Sequence, residues 1–275
     1  MRLKNSIRSI AIGSFDGVHI AHQRLIGMAD AVAVIEKGRG YITHGYRRCD
    51  FIDKPIHIYH FEDIKSLSPR EFILQLREDF PELDRIVVGY DFRFGYRKSG
   101  DVELLRELFS GEVNVVDEIK YRGLSIHSCL IREAIGRGSI RVANRLLNRP
   151  YRVEGLPIEG QGLGSMELVP TINIDVRYYT IPKSGVYITE TLIGDEWLDS
   201  VTFIGDREST DGKFAVETHI LDRDIAVVDR YREIEILLHS RLRGNRRFDN
   251  LEDLKMQIVE DIDIARAYPY RYRPQ

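Results

Sequence analysis

Cysteine is scarce: Cys49 and Cys129 are the only two in 275 residues, far apart and in no CxxC pair. That spacing excludes a disulfide framework and a cysteine-built zinc site, and it leads us to expect a reducing, cytoplasmic setting. Long apolar runs are missing too. No stretch approaches the roughly 20 apolar residues that a membrane-spanning helix needs, and the opening MRLKNSIRSIAIGSFDG, with Arg8 and Asp16, holds no signal-peptide core. Nor is there an excess of charge of one sign, since 40 Lys and Arg against 43 Asp and Glu give a formal net charge of −3. A chain so balanced has no bulk attraction for phosphate backbones or anionic membranes, so neither nucleic acid nor membrane is expected as a partner. The phosphate loop GxxxxGK[ST], internal repeats and low-complexity segments are absent as well.

What is present is an ordinary globular composition, 43% hydrophobic and 30% charged. The length exceeds a usual single domain, so two units are expected. In the first, an apolar run at 9–12 ends at Gly13 and is followed by a helical pattern in which His22, Leu25, Ile26 and Ala29 share a face. Strand-like runs recur at 32–35, 57–59, 86–88 and 113–116, alternating with helical stretches near 69–77 and 102–108. Alternation of this kind implies a parallel α/β sheet. Helical stretches at 131–135 and 140–147 stop before Pro150, which disfavours helix at the residue preceding it. The domain boundary is expected there, giving units 1–148 and 149–275. Beyond it, short turn-punctuated runs at 151–155, 171–176, 185–192, 200–204, 214–221 and 231–238 predict a small antiparallel barrel. Leu251, Leu254, Ile258, Ile262 and Ala265 then recur at helical spacing, predicting a helix over 250–265 packed on the barrel. The ending YPYRYRP reads as a loosely held tail.

The most informative string is GSFDGVHIAHQRLI, residues 13–26. Its strand end, glycine turn and helix start bring His19 and His22 within one helical turn, where two imidazoles and unpaired N–H groups could receive a polyphosphate. Two histidines so spaced are incidental in most chains. The whole string is more specific: GSFDGVHIAH resembles the GxFDGVHxGH signature of nucleotidyltransferases, in particular the N-terminal domain of bacterial bifunctional riboflavin kinase/FMN adenylyltransferases. VVGYDFRFGYRKSGD at 87–101 resembles the family's VGxDFRFGxxxxGD, HSCLIREAIGRGS at 127–139 its SSTxIRxxLxxGD, and RLLNRPYRVEG at 145–155 its LLGRPYxxxG junction.

For the first unit the resemblance implies a Rossmann-like nucleotidyltransferase fold and adenylyl transfer, in which the FMN phosphate attacks the α-phosphate of ATP and pyrophosphate leaves. Such catalysis is positioning and charge stabilisation. Gly13, Phe15 and Asp16 would bind the ATP phosphates together with His19 and His22, while Ser128 and Arg132 would hold the pyrophosphate. Asp91 and Phe92 would lie by the nucleotide and flavin. The chain departs from the pattern at Ser14 (usually Asn), Ala21 (Gly), His127 (Ser) and Cys129 (Thr), and YITHGYRRCDFIDKP replaces a longer TFxPHP segment.

Other readings of these residues are blander or competing. Tyr90, Phe92, Phe94 and Tyr96 interleave with Arg93 and Arg97 as an RNA-stacking surface would, though half-buried packing is the commoner cause. His44, His57 and His60 lack a carboxylate or cysteine set at ligand spacing, and Cys129 has no identifiable catalytic partner.

In the second half, GQGLGSMELVPTIN at 160–173 resembles the family's GxGxGRxLGFPTAN flap. The resemblance implies a riboflavin-kinase-like barrel in which Gly160, Gly162 and Gly164 approach phosphate and Thr171 and Asn173 supply oxygen ligands for Mg2+. AVETHILDRD at 215–224 resembles VExHLLDFD, making Glu217 the general base toward the riboflavin 5′-hydroxyl. SVTFIGDREST at 200–210 resembles GVANIGxRPTF and keeps Arg207 as a flavin contact. LRGNRRF carries Asn245 where LRxExKF is acidic, and Ser165, Leu168 and Val169 also depart from the flap.

Together the resemblance implies phosphorylation of riboflavin to FMN and adenylylation of FMN to FAD, with riboflavin, FMN and ATP as substrates and Mg2+ as cofactor. Two alternatives stay open: only one activity is kept, adenylyl transfer first, or the chain binds flavin or nucleotide without turnover.

Overall fold

The computed structural model describes residues 6–38, 41–158, 169–207, 212–223 and 232–270. Its contacts divide the chain into Met1–Ser128 and Cys129–Gln275. The first unit runs β1 (Ser9–Gly13), α1 (Ile20–Gly27), β2 (Ala31–Glu36), β3 (Ile56–His60), α2 (Phe61–Ile64), α3 (Pro69–Asp79), β4 (Arg85–Gly89), α4 (Val102–Leu108), β5 (Glu112–Val116) and a small hairpin, β6 (Lys120–Tyr121) with β7 (Leu124–Ser125). The five main strands form one sheet in the order β3-β2-β1-β4-β5, and every pairing is parallel.

Both faces of the sheet are buried, which is why its strands read as unbroken apolar runs. Ile10, Ile12, Ala33, Ile86 and Val88 pack on Phe72, Ile73, Leu76 and Phe80 of the α3 side. The alternate residues Ala11, Val32, Val34 and Val87 pack on Leu25 and Ile26 of α1. Helix α3 begins with a capping box in which Ser68 Oγ accepts from Glu71 N (3.3 Å) and Ser68 N donates to Glu71 Oε2 (2.7 Å), with Pro69 at its first turn. The strand order reverses between β1 and β4, and the crevice beyond their carboxyl ends is where doubly wound sheets bind ligands.

The second unit takes up the chain within α5 (Ser128–Gly136) and continues through α6 (Ile140–Leu147), β8 (Tyr151–Ile158), β9 (Ile172–Val176), β10 (Gly185–Ile193), β11 (Glu196–Asp206), β12 (Phe214–Ile220), β13 (Ile234–Gly244) and α7 (Leu251–Arg266). The six strands close into a barrel in the order β10-β11-β12-β9-β8-β13, with antiparallel pairings throughout. The expected sheet and barrel are thus both present. Contacts group α5 and α6 with the barrel, because Asn144 of α6 donates to Leu238 O and accepts from Tyr151 N, both at 2.8 Å. Helix α6 stops at Asn148 in the left-handed region (φ 60°), two residues before Pro150.

Inside the barrel, Thr189, Thr191, Ser200, Thr202 and Thr218 are fully buried. Their hydroxyls bond one another at 2.7–3.0 Å, so the polar half of each strand's alternation faces inward here and is satisfied there. The outward face of β10 to β12, with Val186, Ile188, Val201 and Phe203, packs under Ile258, Ile262 and Ala265 of α7.

Three local expectations change. Ala29 lies beyond the end of α1. Leu251 is 46% exposed at the first turn of α7, where Asn250 Oδ1 caps the helix by accepting from Asp253 N at 2.8 Å. Of the tail, Tyr268 and Tyr270 pack on the outer barrel cluster, with their rings 5.3 Å apart and edge to face; burial pushes the Tyr270 hydroxyl well above its ordinary pKa.

Candidate functional site

Beyond β1 the chain makes a strained turn. Phe15 (φ 45°) and Val18 (φ 40°) are fully buried yet occupy the left-handed region, where a β-branched residue costs on the order of 1–3 kcal/mol and persists only when its surroundings impose it. The surroundings are specific. Gly13 leaves room for the Phe15 ring, which would lie 3.3 Å from a Cβ there, and Gly17 (φ +86°) leaves room for Ile42. The buried Asp16 Oδ1 accepts from Ile42 N (2.8 Å) and Thr43 N (3.0 Å), clamping the segment after β2 onto the turn.

The turn delivers His19 as the N-cap of α1, with its Nδ1 accepting from His22 N at 3.4 Å. That bond places the proton of the neutral ring on Nε2. The His19 and His22 rings stack at 3.5 Å and 19°, and Phe15 lies edge-on to His22 at 5.2 Å. The histidines therefore come together at the N-terminal end of α1, as their spacing predicts. Phe15 and Asp16 act from underneath, as the floor and the clamp of the turn.

Beyond β4, on the other side of the crevice, Asp91 is exposed and Phe92 stacks on Phe94 at 5.5 Å, partly inside the core. The interleaved aromatics divide accordingly: Phe94 is buried, while Tyr90 and Tyr96 are exposed. Ser128 Oγ donates to Asp16 O at 2.8 Å, so the β7–α5 junction touches the histidine turn directly. Next to it His127 lies 2.8 Å from Ser125 Oγ and 3.3 Å from Tyr90 Oη through Nε2. Arg132 lies four residues along α5 from Ser128, in the second unit; its part at the phosphates rests on the motif alone.

In the barrel unit a cavity of about 160 Å³ is lined by residues of β10 to β13 and α7. Val186, Val201, Phe203, Phe248, Leu254, Ile258 and Ile262 form apolar walls, and Thr171, Arg207, Glu217, Arg243 and Asn245 supply polar groups. Arg207 Nη1 donates to Glu217 Oε1 at 3.0 Å. Glu217 stands directly opposite Asn173 in the β12–β9 register, so Thr171, Asn173, Glu217 and Arg207, four residues singled out from sequence, do converge. Gly160, Gly162 and Gly164 lie outside the described residues. The oxygen donors of Thr171 and Asn173 suit a hard cation such as Mg2+, which takes one or two protein ligands and completes its shell with water and substrate phosphate.

Sequence reasoning missed most of the cavity's far wall. Arg243 Nε reaches both carboxylate oxygens of Asp261 (2.9 and 3.0 Å) and its Nη2 reaches Oδ2 (2.7 Å), tying β13 to α7 beside the cavity. Asn245 Nδ2 donates to Asp206 O at 2.7 Å, so the residue that departs from the acidic pattern holds the backbone next to Arg207. The partnership of Arg243 with Asp261 spans 18 residues and had no local signal; only the buried position of Asp261 on an otherwise apolar helix face could have hinted at it. His44, His57 and His60 form no metal-ligand cluster, and none of three or more His, Cys, Asp or Glu exists among the described residues.

Two family models match the chain in series: the FAD synthetase model over residues 49–130 and the riboflavin kinase model over residues 147–269. The bifunctional riboflavin kinase/FMN adenylyltransferase of Pseudomonas fluorescens is 29% identical over 285 residues, covering 93% of this chain and 91% of that one. Those of Escherichia coli (strain K12) and Bacillus subtilis (strain 168) are each 27% identical, covering 94% of this chain and 92% of theirs. A solved structure titled as a macrolide-efflux protein from Streptococcus pneumoniae superposes with a TM-score of 0.84 at 23% identity, covering 96% of both chains, and shares the fold. With the two domains in order along relatives matched almost end to end, the chain belongs to the bifunctional riboflavin kinase/FMN adenylyltransferase family and is a transferase.

Proposed function

We propose that this chain phosphorylates riboflavin to FMN in its barrel unit and adenylylates FMN to FAD in its α/β unit, using ATP for both. The observation that carries the reading is that one chain holds two separate constellations, each suited to one transfer: stacked imidazoles at a helix N-terminus beyond β1, and a carboxylate clamped by arginine beside a largely apolar cavity. The functional division is proposed at Asn148, where α6 ends.

In the barrel, Glu217 accepts the proton of the riboflavin 5′-hydroxyl as that oxygen attacks the γ-phosphorus of ATP and ADP leaves. Arg207 holds the carboxylate in one orientation, and the apolar walls take the flavin ring. Thr171 and Asn173 would hold Mg2+, which neutralises charge on the transferring phosphates. Gly160, Gly162 and Gly164 serve as the phosphate-approaching turn by motif match.

In the α/β unit an oxygen of the FMN phosphate attacks the α-phosphorus of ATP and pyrophosphate departs. His19 and His22, at the positive N-terminal end of α1, stabilise the phosphate charge. Ser128 and Arg132 steady the pyrophosphate, while Asp91 and Phe92 border the nucleotide and flavin. A cytoplasmic location is proposed, since two free, exposed cysteines suit a reducing compartment.

The test is product separation after incubation with ATP and magnesium plus either riboflavin or FMN. FMN and FAD from riboflavin, and FAD from FMN, are expected. FAD only from supplied FMN would reduce the barrel to a scaffold, and no product from either mixture would remove the catalytic reading.

A further inference from the structure

Asn245 stands just past the end of β13, where the family motif LRxExKF is acidic, and it lines the barrel cavity together with Arg207 and Glu217. Its amide is held at both ends. Oδ1 accepts from Arg246 N at 2.9 Å, and Nδ2 donates to Asp206 O at 2.7 Å, across 39 residues of chain. Asp206 is the last residue of β11, so the peptide unit whose carbonyl Asn245 holds is the one that leads into Arg207. The N–H of that same peptide, on Arg207, donates to Lys213 O at 3.0 Å. Both polar groups of the peptide are therefore fixed. With them is fixed the point from which the Arg207 side chain reaches Glu217, Nη1 to Oε1 at 3.0 Å.

The chemistry of the side chain decides whether this can happen. An ionised carboxylate only accepts hydrogen bonds, so an acid at 245 would turn an oxygen toward the Asp206 carbonyl where the amide turns an N–H. It would also change the pairing of charges. The two carboxylates that line the cavity each have one arginine, Glu217 with Arg207 and Asp261 with Arg243, and a third would compete for those guanidiniums. Resting on the riboflavin-phosphorylation reading above, we propose that Asn245 is a positioning residue for that reaction, acting through the Asp206–Arg207 peptide to hold Glu217 in the orientation in which it accepts the proton. The amide that departs from the acidic pattern is thus what keeps Arg207 aimed at Glu217. No additional chemical step is involved.

The experiment compares wild type, Asn245→Asp, Arg207→Gln and the double variant in single-turnover formation of FMN from riboflavin with ATP and magnesium. The riboflavin dissociation constant of each is measured by flavin fluorescence, which also shows that the barrel has folded. Asn245→Asp is nearly isosteric and can keep the bond from Arg246 N, so it removes the donor to Asp206 with little change of shape. It is expected to slow FMN formation about tenfold, the scale of a modest displacement of a reacting group, with riboflavin affinity within about twofold of wild type. Asn245→Ala, which removes the donor without adding charge, should show the same slowing. In the Arg207→Gln background the exchange of Asn245 for Asp should have almost no further effect, because the interaction it acts through is already gone. Loss of riboflavin affinity as large as the loss of rate would make Asn245 a binding contact, and the full slowing repeated on top of Arg207→Gln would make it independent of Arg207. Either result overturns the proposal. FMN formation absent from the wild type would remove the phosphorylation reading itself, whereas FMN formed at equal rates by wild type and Asn245→Asp would remove the role of Asn245 alone.

Discussion

Arg207 Nη1 meets Glu217 Oε1 at 3.0 Å on the outward face of the barrel, with both side chains largely shielded from solvent. The pair joins the end of β11 to the middle of β12, and Asn245 holds the carbonyl of the residue before Arg207. One carboxylate is thereby aimed from a rigid strand into an apolar cavity, the preorganisation that proton acceptance from an alcohol requires.

Glu217→Ala is expected to lower FMN formation from riboflavin by about 10²–10⁴-fold, the usual worth of a general base. FAD formation from supplied FMN should be unchanged. Kinase turnover surviving in that variant at the wild-type rate would remove Glu217 from the proton-accepting role.

His22→Ala should have the opposite pattern, with FAD formation reduced by about 10²–10³-fold, the size of losing one preorganised charge-stabilising donor. Phosphorylation of riboflavin by the same preparation serves as the folding control. Equal loss of both activities would contradict separate sites.

Asp261→Asn removes the charge that binds Arg243 while leaving a similar shape. Breaking a buried ion pair of this kind costs about 3–5 kcal/mol, so thermal unfolding of the barrel unit should shift downward. With α7 less firmly tied to β13, KM for riboflavin is expected to rise by about tenfold, with a smaller change in kcat, while FAD formation from FMN is unaffected. A variant whose riboflavin KM matches the wild type would show that the pair has no influence on the cavity.

Asp30 accepts from Ser9 Oγ (2.7 Å) and Ser9 N (3.0 Å) at the start of β1. The Ser9 hydroxyl above all, against a smaller opposing effect of burial, keeps the Asp30 carboxyl below its ordinary value of 3.8. A pKa lowered on folding means that this stabilisation is complete above the unfolded value and is lost as pH falls through the folded one. Asp30→Asn should therefore lower the melting temperature by a few degrees at neutral pH, with the gap to wild type narrowing below about pH 3.8. A gap constant from neutral to strongly acid conditions would exclude the charge as its origin.

The two-unit plan was legible in the chain because both faces of the parallel sheet are buried, leaving runs such as AVAVIE unbroken, while barrel strands alternate between an inner and an outer face. The paired histidines were legible because the glycine turn and the helix start are local. Thr171, Asn173 and Glu217 were singled out through motif resemblance alone; their convergence depends on the β9–β12 register, which hydrogen bonds between distant segments create.

Other features belong to the tertiary structure. That Phe15 and Asp16 support the turn from below, that Arg207 grips Glu217, and that Arg243 finds Asp261 across 18 residues all depend on which faces pack together. The same holds for His127, whose exchange for serine is visible in the string but whose partners Tyr90, Asp91 and Ser125 meet only in three dimensions. Local periodicity and turn chemistry act over a few residues and so leave their mark on the string. Contacts between distant strands and helices are decided by the packing of whole elements, and no short stretch of sequence carries them.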